Sequence, residues 1–137
     1  MTIRVCVPRD ATALSLGADA VAKAIAAEGK RTGAAVQVVR TSSRGLFWLE
    51  PFVEVETKQG RIGYGPVEPG DVADLFAMGF LQGNAHRLSQ GKVEAIPFLA
   101  KQERLCFARA GITDPLSLAD YEAHGGQRGL QRALGMA

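Results

Sequence analysis

An alternation of apolar and acidic residues near the middle of the chain is the feature that most constrains its fold. Residues 53–57 read Val-Glu-Val-Glu-Thr, which is the period of a strand with one buried face. A turn at residues 58–60 and a second short run at residues 61–64 complete the pattern of a β-hairpin. We therefore expect Glu54 and Glu56 to lie on a solvated strand face.

The segment before this hairpin, residues 42–51, is predicted to form a loop. It carries Arg44, Phe47 and Trp48, the only tryptophan of the chain. Loops held by a rigid scaffold often carry functional side chains. Trp, Phe and Arg are also favoured in the cores of protein interfaces. We therefore predict a partner interface formed by these three residues.

The segments around the hairpin predict an α/β arrangement. Alternation at residues 3–8 indicates a strand, and apolar residues spaced by three and four indicate a helix over residues 12–29 that buries one face. Asp10 or Thr12 is expected to cap this helix. A second strand is expected at residues 35–40. The residues of the expected buried helix face are Leu14, Ala18, Val21 and Ile25.

A helix capped by Asp71 is expected over residues 71–82. The order is then strand, helix, strand, hairpin and helix, which is the order of a thioredoxin-like domain. We place this domain at residues 1–83. Residues 84–137 are expected to form a linker and a helical or irregular extension, which includes a short strand at residues 105–108.

Two short helices are expected within that extension, at residues 117–123 and 127–135. It contains few large residues of its own, which suggests that it docks on other material. Exposed apolar surface there is expected to favour self-association.

Composition excludes several classes of function. The 16 basic and 14 acidic residues leave a net charge of +2, which does not favour a nucleic-acid or membrane partner. No apolar run is long enough to span a membrane, and the first residues do not resemble a secretory signal. We therefore predict a cytoplasmic protein. In that compartment Cys6 and Cys106 are expected to be buried thiols rather than a disulfide.

Motifs that carry chemistry are also missing from the sequence. The cysteines and histidines are scattered rather than grouped at metal-ligand spacing. The 16 glycines form neither a dinucleotide-binding nor a P-loop pattern. No serine or cysteine can be paired with a histidine from the sequence. We therefore predict no catalytic, cofactor-binding or metal-binding residue in this chain.

A first resemblance covers residues 40–71. The residues that carry it are Gly45, Tyr64, Gly65, Val67, Pro69 and Asp71. This segment resembles the cluster-binding half of the thioredoxin-like ferredoxins of complex I, of NAD-dependent hydrogenases and of formate dehydrogenases. The family places four cysteines around a 2Fe-2S cluster. Here those positions are Cys6, Ala11, Ser43 and Phe47. A single thiol cannot hold such a cluster, so the resemblance implies the fold and a vestigial site.

A second resemblance covers residues 96–134. The residues that carry it are Arg104, Gly111, Asp114, Pro115, Tyr121, Gly125, Gly126 and Leu130. This pattern resembles the start of the flavoprotein subunit of respiratory NADH dehydrogenase. Taken together, the two segments resemble the N-terminal region of the diaphorase, or beta, subunit of NAD-dependent molybdenum formate dehydrogenases. The resemblance implies that residues 84–137 begin a flavoprotein domain that is incomplete here.

The second resemblance also implies a function. Its parent complex oxidises formate and reduces NAD through iron–sulfur clusters, with FMN, NAD and a 4Fe-4S cluster in the parent subunit. We expect this chain to hold no cofactor and to be non-catalytic by itself. Its expected role is structural, docking the small iron–sulfur subunit and the rest of its own flavoprotein domain. Alternatives are a free-standing electron carrier or thiol redox protein, and the equivalent region of an NAD-reducing hydrogenase.

Overall fold

The predicted hairpin forms the middle of a five-stranded sheet. The structure is a computed structural model that describes residues 2–136. The hairpin consists of β3 (Val53–Thr57) and β4 (Gly60–Tyr64), and β3 also pairs antiparallel with β1 (Ile3–Pro8). The strand order across the sheet is β2-β1-β3-β4-β5, so the hairpin lies between the parallel pair and the last strand.

Two helices connect the parallel strands β1 and β2 (Val36–Thr41). α1 (Ala11–Ser15) and α2 (Ala18–Thr32) occupy the region where one helix was predicted. Gly17 separates them with a φ of +95°, a conformation that glycine adopts without steric cost. The break takes Leu14 out of register with α2, and its side chain is 40% exposed instead of buried. Asp10 takes the N-cap position of α1, but its side chain makes no capping hydrogen bond.

The segment after the hairpin forms α3 (Val72–Ala77), which is shorter than the predicted helix. Gly79, with a φ of +78°, ends it, and a 3₁₀ turn follows at Phe80–Gln82. Tyr64 is fully buried beneath this turn, and its hydroxyl donates a hydrogen bond of 2.8 Å to the Asn84 carbonyl. Tyr64 therefore packs in the core of the domain.

The main core lies between α2, α3 and one face of the sheet. It includes alternate residues of β1 and β3, as the period of two requires. Its largest fully buried members are Tyr64, Phe80, Ile25, Leu75, Val5, Val7, Val21, Val53, Val55 and Val67. The expected buried face of the helix is thus correct for Ala18, Val21 and Ile25.

The last third of the chain returns to the sheet. Residues Ser89–Lys92 form β5, which pairs antiparallel with β4. The strand predicted at residues 105–108 is wrong, because residues 101–117 consist of turns and irregular chain. Three short helices complete the described chain: α4 (Pro97–Ala100), α5 (Leu118–Ala123) and α6 (Arg128–Leu134). The last two confirm the helices expected in the extension.

A division into residues 1–83 and 84–137 stays a prediction. β5 joins the second part to the sheet of the first part. The fold class itself is confirmed: an α/β sheet domain is followed by an extension of short helices and irregular chain.

Candidate functional site

The loop between β2 and β3 is held by one buried carboxylate, Glu50. Its oxygens accept hydrogen bonds from the Ser43 hydroxyl at 2.8 Å and from the Phe52 backbone N–H at 2.9 Å. Ser43 in turn accepts a hydrogen bond of 2.9 Å from the Gly45 N–H. Burial raises the pKa of the Glu50 carboxyl, and the hydrogen bonds from Phe52 and Ser43 act in the opposite direction. This network fixes both ends of the loop.

A small second core lies under the same loop. It consists of Leu46, Leu49, Phe52 and Val93, with Ile96 and Leu99 packed against it. The short 3₁₀ turn Phe47–Leu49 directs its residues to different sides. Leu49 therefore packs inward, while Phe47 and Trp48 are 56% and 59% exposed.

One of the two exposed aromatic residues of the loop, Trp48, packs against a third aromatic residue on the surface, Phe98. The Trp48 ring packs edge-on against Phe98, with ring centroids 5.2 Å apart. Leu46, Leu49, Phe52 and Val93, rather than Phe47 and Trp48, occupy the interior beneath the loop. Two of the three predicted interface residues are therefore accessible, on a loop that Glu50 and the small second core hold in place. Whether they contact a partner stays a prediction.

Arg44, the third predicted interface residue, is engaged inside the domain. Its Nε and Nη2 atoms donate to the Glu54 carboxylate at 2.6 and 2.9 Å, in the two-point geometry that favours arginine. The Arg61 guanidinium donates to the same carboxylate at 3.2 Å and to Glu56 at 2.7 Å. The Arg44 guanidinium is therefore already satisfied by Glu54.

The expectation that Glu54 is solvated is wrong, since it is only 3% exposed. Alternation identifies two faces of a strand, but it does not show what covers the second face. Residues 104–111, which we call the covering segment, lie over that second face here. Gly111 makes two of the contacts: its carbonyl accepts a hydrogen bond of 2.5 Å from the Arg61 Nη1, and its N–H donates to the Ser42 hydroxyl at 3.2 Å. In the third contact, the Arg104 Nη2 donates to the Arg44 carbonyl at 2.8 Å.

Gly111 is the closest point of this contact. Its φ is +77°, and a Cβ at this position would overlap the Arg44 side chain. We expect Gly111→Ala to lower the free energy of unfolding by about 1–2 kcal/mol, because it combines a left-handed backbone with displacement of Arg44. Limited proteolysis should then cut residues 102–111 sooner than in the wild type. Gly129→Ala is the control, because a Cβ there meets no atom within 4 Å and its φ is ordinary. Equal cleavage of all three proteins would contradict this role for Gly111.

The four positions that the resemblance assigns to cluster ligands do not bring metal ligands together. Cys6 is 1% exposed in β1, opposite Glu54 in the strand register. Ala11 begins α1, the Ser43 hydroxyl is bound to Glu50, and Phe47 points largely to solvent. No group of three or more His, Cys, Asp or Glu side chains is placed to hold a metal ion within residues 2–136. Such a donor set does not fit a 2Fe-2S cluster, which takes four thiolate or imidazole ligands.

The two free thiols differ in accessibility. Cys6 is buried as expected, while the expectation for Cys106 is wrong, because it is exposed on the covering segment. Loss of solvent raises the pKa of the Cys6 thiol to about 11, although the nearby Arg61 lowers it. We expect a thiol-specific disulfide reagent to modify Cys106 rapidly and Cys6 only after unfolding, so that Cys106→Ser leaves no fast-reacting thiol. Two thiols reacting at similar rates in the folded chain would contradict this.

A cavity of about 630 Å³ lies between the loop and the covering segment. Residues 42–45 and Phe47 line one side, and residues 102–107 with Ala110 line the other. Asp10, one residue before Ala11, also lines it. The cavity therefore lies beside three of the four positions that the resemblance assigns to cluster ligands.

Comparison with known proteins agrees with this architecture. No protein-family model and no curated protein matches the chain. Among solved structures, the wild-type thioredoxin-like 2Fe-2S ferredoxin from Aquifex aeolicus matches with a TM-score of 0.54 and 20% identity, over 66% of this chain and 98% of that chain. The chain has the thioredoxin-like ferredoxin fold.

Two further structures of the thioredoxin-like ferredoxin from the same organism give the same result. One matches with a TM-score of 0.56 and 19% identity, over 67% of this chain and 93% of that chain. A cysteine-to-serine variant matches with a TM-score of 0.55 and 22% identity, over 66% of this chain and 99% of that chain. About a third of this chain lies outside each match to the thioredoxin-like ferredoxin fold. Within residues 2–136, no helix combines the length and the apolar character that crossing a membrane requires.

Several residues of the site were not predicted from the sequence. The polar ones are Asp10, Glu50, Glu54 and Arg61. Glu50 is joined to Ser43, seven residues earlier, and Arg61 is joined to Gly111, fifty residues later. No local pattern marks such pairs. The alternation in β3 was the available signal for Glu54, and it was compatible with either a solvated or a covered face.

Proposed function

We propose that this chain is a non-catalytic docking domain that keeps the thioredoxin-like ferredoxin fold and lacks an iron–sulfur cluster. Its partner is the small iron–sulfur subunit of an NAD-dependent formate dehydrogenase, which it positions against the flavin-bearing part of the diaphorase subunit. The resemblance of residues 96–134 to the start of an NADH dehydrogenase flavoprotein supports this placement. FMN, NAD and the 4Fe-4S cluster belong to the parent subunit in this proposal.

The single observation that carries the proposal is the state of the loop at the vestigial cluster site. One cysteine remains at four ligand positions, and it is buried. At the same place the chain presents Phe47 and Trp48 to solvent on a loop fixed by Glu50. A loop that is rigid and exposes large aromatic side chains has the properties of an interface hot spot.

The proposal is tested by co-expression of the chain with the small iron–sulfur subunit, followed by measurement of the affinity. We expect a stable complex, and we expect Phe47→Ala and Trp48→Ala each to weaken it by about 10- to 100-fold, the usual range for an aromatic anchor. Met78→Ala is the matched control, because Met78 is similarly exposed at 52% but lies at the end of α3. The docking role would be contradicted if no complex formed, or if the small iron–sulfur subunit bound all three variants as tightly as it binds the wild type.

A second candidate is an electron-transfer domain, which the fold of the matched 2Fe-2S ferredoxins favours. This function requires a redox group in the chain, and Cys6 is the one thiol at a ligand position. It would show as a visible absorption that bleaches reversibly on reduction and that Cys6→Ser abolishes. We favour docking because Cys6 lies opposite Glu54 inside the sheet and Ser43 is committed to Glu50.

A further inference from the structure

The covering segment is attached to the domain by polar contacts rather than by a packed core. Three hydrogen bonds join its Arg104 and Gly111 to the loop and to β4. Within residues 2–136, neither apolar core includes a residue of this segment. Its large apolar side chains, Leu105 and Phe107, are 84% and 72% exposed. Apolar burial, the main favourable contribution to folding, therefore contributes little to the attachment.

The packing beneath the covering segment is loose. A cavity of about 630 Å³ separates residues 102–107 from the loop. Gly111 is the one residue among 104–111 that is buried. Parts of a protein with few buried apolar contacts and exposed hydrogen bonds open at a lower free energy than its core strands do. The covering segment has both properties.

The charged face under the covering segment is complete without it. The Arg44 guanidinium donates to Glu54 at 2.6 and 2.9 Å, and the Arg61 guanidinium donates to Glu54 at 3.2 Å and to Glu56 at 2.7 Å. If the segment leaves, Arg61 loses the Gly111 carbonyl, and water can take the place of that acceptor. The ion pairs themselves stay intact, so opening does not incur the large cost of an unpaired buried charge.

The loop also keeps its main supports when the segment leaves. The Ser42 hydroxyl and the Arg44 carbonyl each lose one donor. Glu50 remains bound to Ser43 and to the Phe52 N–H, and the small second core contains no residue of the covering segment among residues 2–136. Opening is therefore compatible with a folded loop.

The two anchors of the segment are linked to each other through the backbone. Successive turns connect them, in which Ala108 donates to the Leu105 carbonyl at 3.4 Å and Ala110 donates to the Phe107 carbonyl at 3.0 Å. A short chain of consecutive turns transmits the release of one end to the other. Arg104 and Gly111 are thus expected to be released together.

We propose that the covering segment opens as one unit while the sheet and the loop remain folded. When it is closed, it keeps the Glu54 carboxylate away from water. When it is open, it exposes the charged face that Glu54, Arg44 and Arg61 form. The segment thereby controls access to this face of the sheet. The inference goes beyond the proposed docking function and does not depend on it.

Native-state hydrogen exchange of the wild-type chain in increasing low concentrations of urea tests the proposal. The reporter is the Gly111 amide, and the references are the amides of Val5 and Val55 in the central strands. We expect Gly111 to be protected about tenfold or more relative to a free peptide, but at least about 100-fold less than the references. Its exchange should depend only weakly on urea, because local opening exposes little surface.

Two results for the wild type would overturn the proposal. If Gly111 and Val55 show the same protection and the same dependence on urea, the segment opens only when the whole domain unfolds. If Gly111 shows no protection, the closed state does not form. This comparison needs no variant, so it stands even if a substitution prevents folding.

A pair of variants tests whether the segment opens as a unit. Arg104→Ala removes one anchor and should speed exchange of the Gly111 amide at the other anchor by about three- to tenfold, the usual effect of losing one hydrogen bond. The Val55 amide should not change. Arg109→Ala is the matched control, because Arg109 is exposed in the same segment and takes no part in the three hydrogen bonds. Unchanged Gly111 exchange in Arg104→Ala, or equal acceleration by both variants, would contradict opening as a unit.

Discussion

Replacement of Glu54 by alanine is expected to lower the free energy of unfolding by about 3–5 kcal/mol. The carboxylate is 3% exposed and accepts hydrogen bonds from both Arg44 and Arg61. Its removal leaves two guanidinium groups in the interior without their shared counter-charge. Chemical denaturation followed by circular dichroism measures the change. We also expect the covering segment to loosen, because Arg61 holds the Gly111 carbonyl.

The neighbouring acidic residue of the same strand provides the control. Glu56 is 33% exposed and pairs with Arg61 at 2.7 Å and with Arg4 at 3.4 Å. Glu56→Gln is expected to change stability by less than about 1 kcal/mol, because Glu56 is only half-buried and glutamine still offers Arg61 an acceptor. If the two variants have the same small effect, Glu54 is not a buried partner of the arginines.

Gly65→Ala is expected to destabilise the chain by about 2–3 kcal/mol. A Cβ at this position would overlap the Leu49 carbonyl oxygen and would lie 3.0 Å from the Phe52 ring. Because the Leu49 oxygen belongs to the backbone, the loop itself must move to make room. We therefore expect this variant to alter the loop that carries Trp48, which tryptophan fluorescence reports independently of stability.

Gly70→Ala is the matched control for this effect. A Cβ at Gly70 meets no atom within 4 Å, and its φ is not in the left-handed region. Its fluorescence and its unfolding midpoint should match those of the wild type. A Gly65→Ala protein with unchanged midpoint and unchanged fluorescence would show that the loop does not pack on the hairpin as described.

Local periodicity was sufficient to predict the framework of the fold. The hairpin and the first strand follow from alternation, and α2 follows from apolar spacing, since each pattern is set by neighbours in the chain. The break at Gly17 was not predicted, because a single glycine within a helical pattern is usually tolerated. β5 was missed for another reason. Ser89–Lys92 has no strand-like composition, and it pairs at the edge of the sheet beside an irregularity at Gly63 and Tyr64.

The candidate site was predictable only in part. The loop and its aromatic residues stood out by composition, and their exposure agrees with an accessible surface. The inward position of Leu46 and Leu49 was not predictable, because a 3₁₀ turn sets it. The burial of Arg44 and Glu54 depends on residues 104–111, which are distant in sequence. Contacts of that kind leave no periodic signal in the segments they join.

The most direct test of the central claim, a ferredoxin-like domain without a cluster, is the iron content of the purified chain after anaerobic reconstitution with iron and sulfide. We predict no retained iron after desalting and no visible absorption band, because Cys6 is the one thiol at the four ligand positions. Stoichiometric iron and acid-labile sulfide, with a visible band that is lost in Cys6→Ser, would contradict the claim. That result would make the chain an electron carrier.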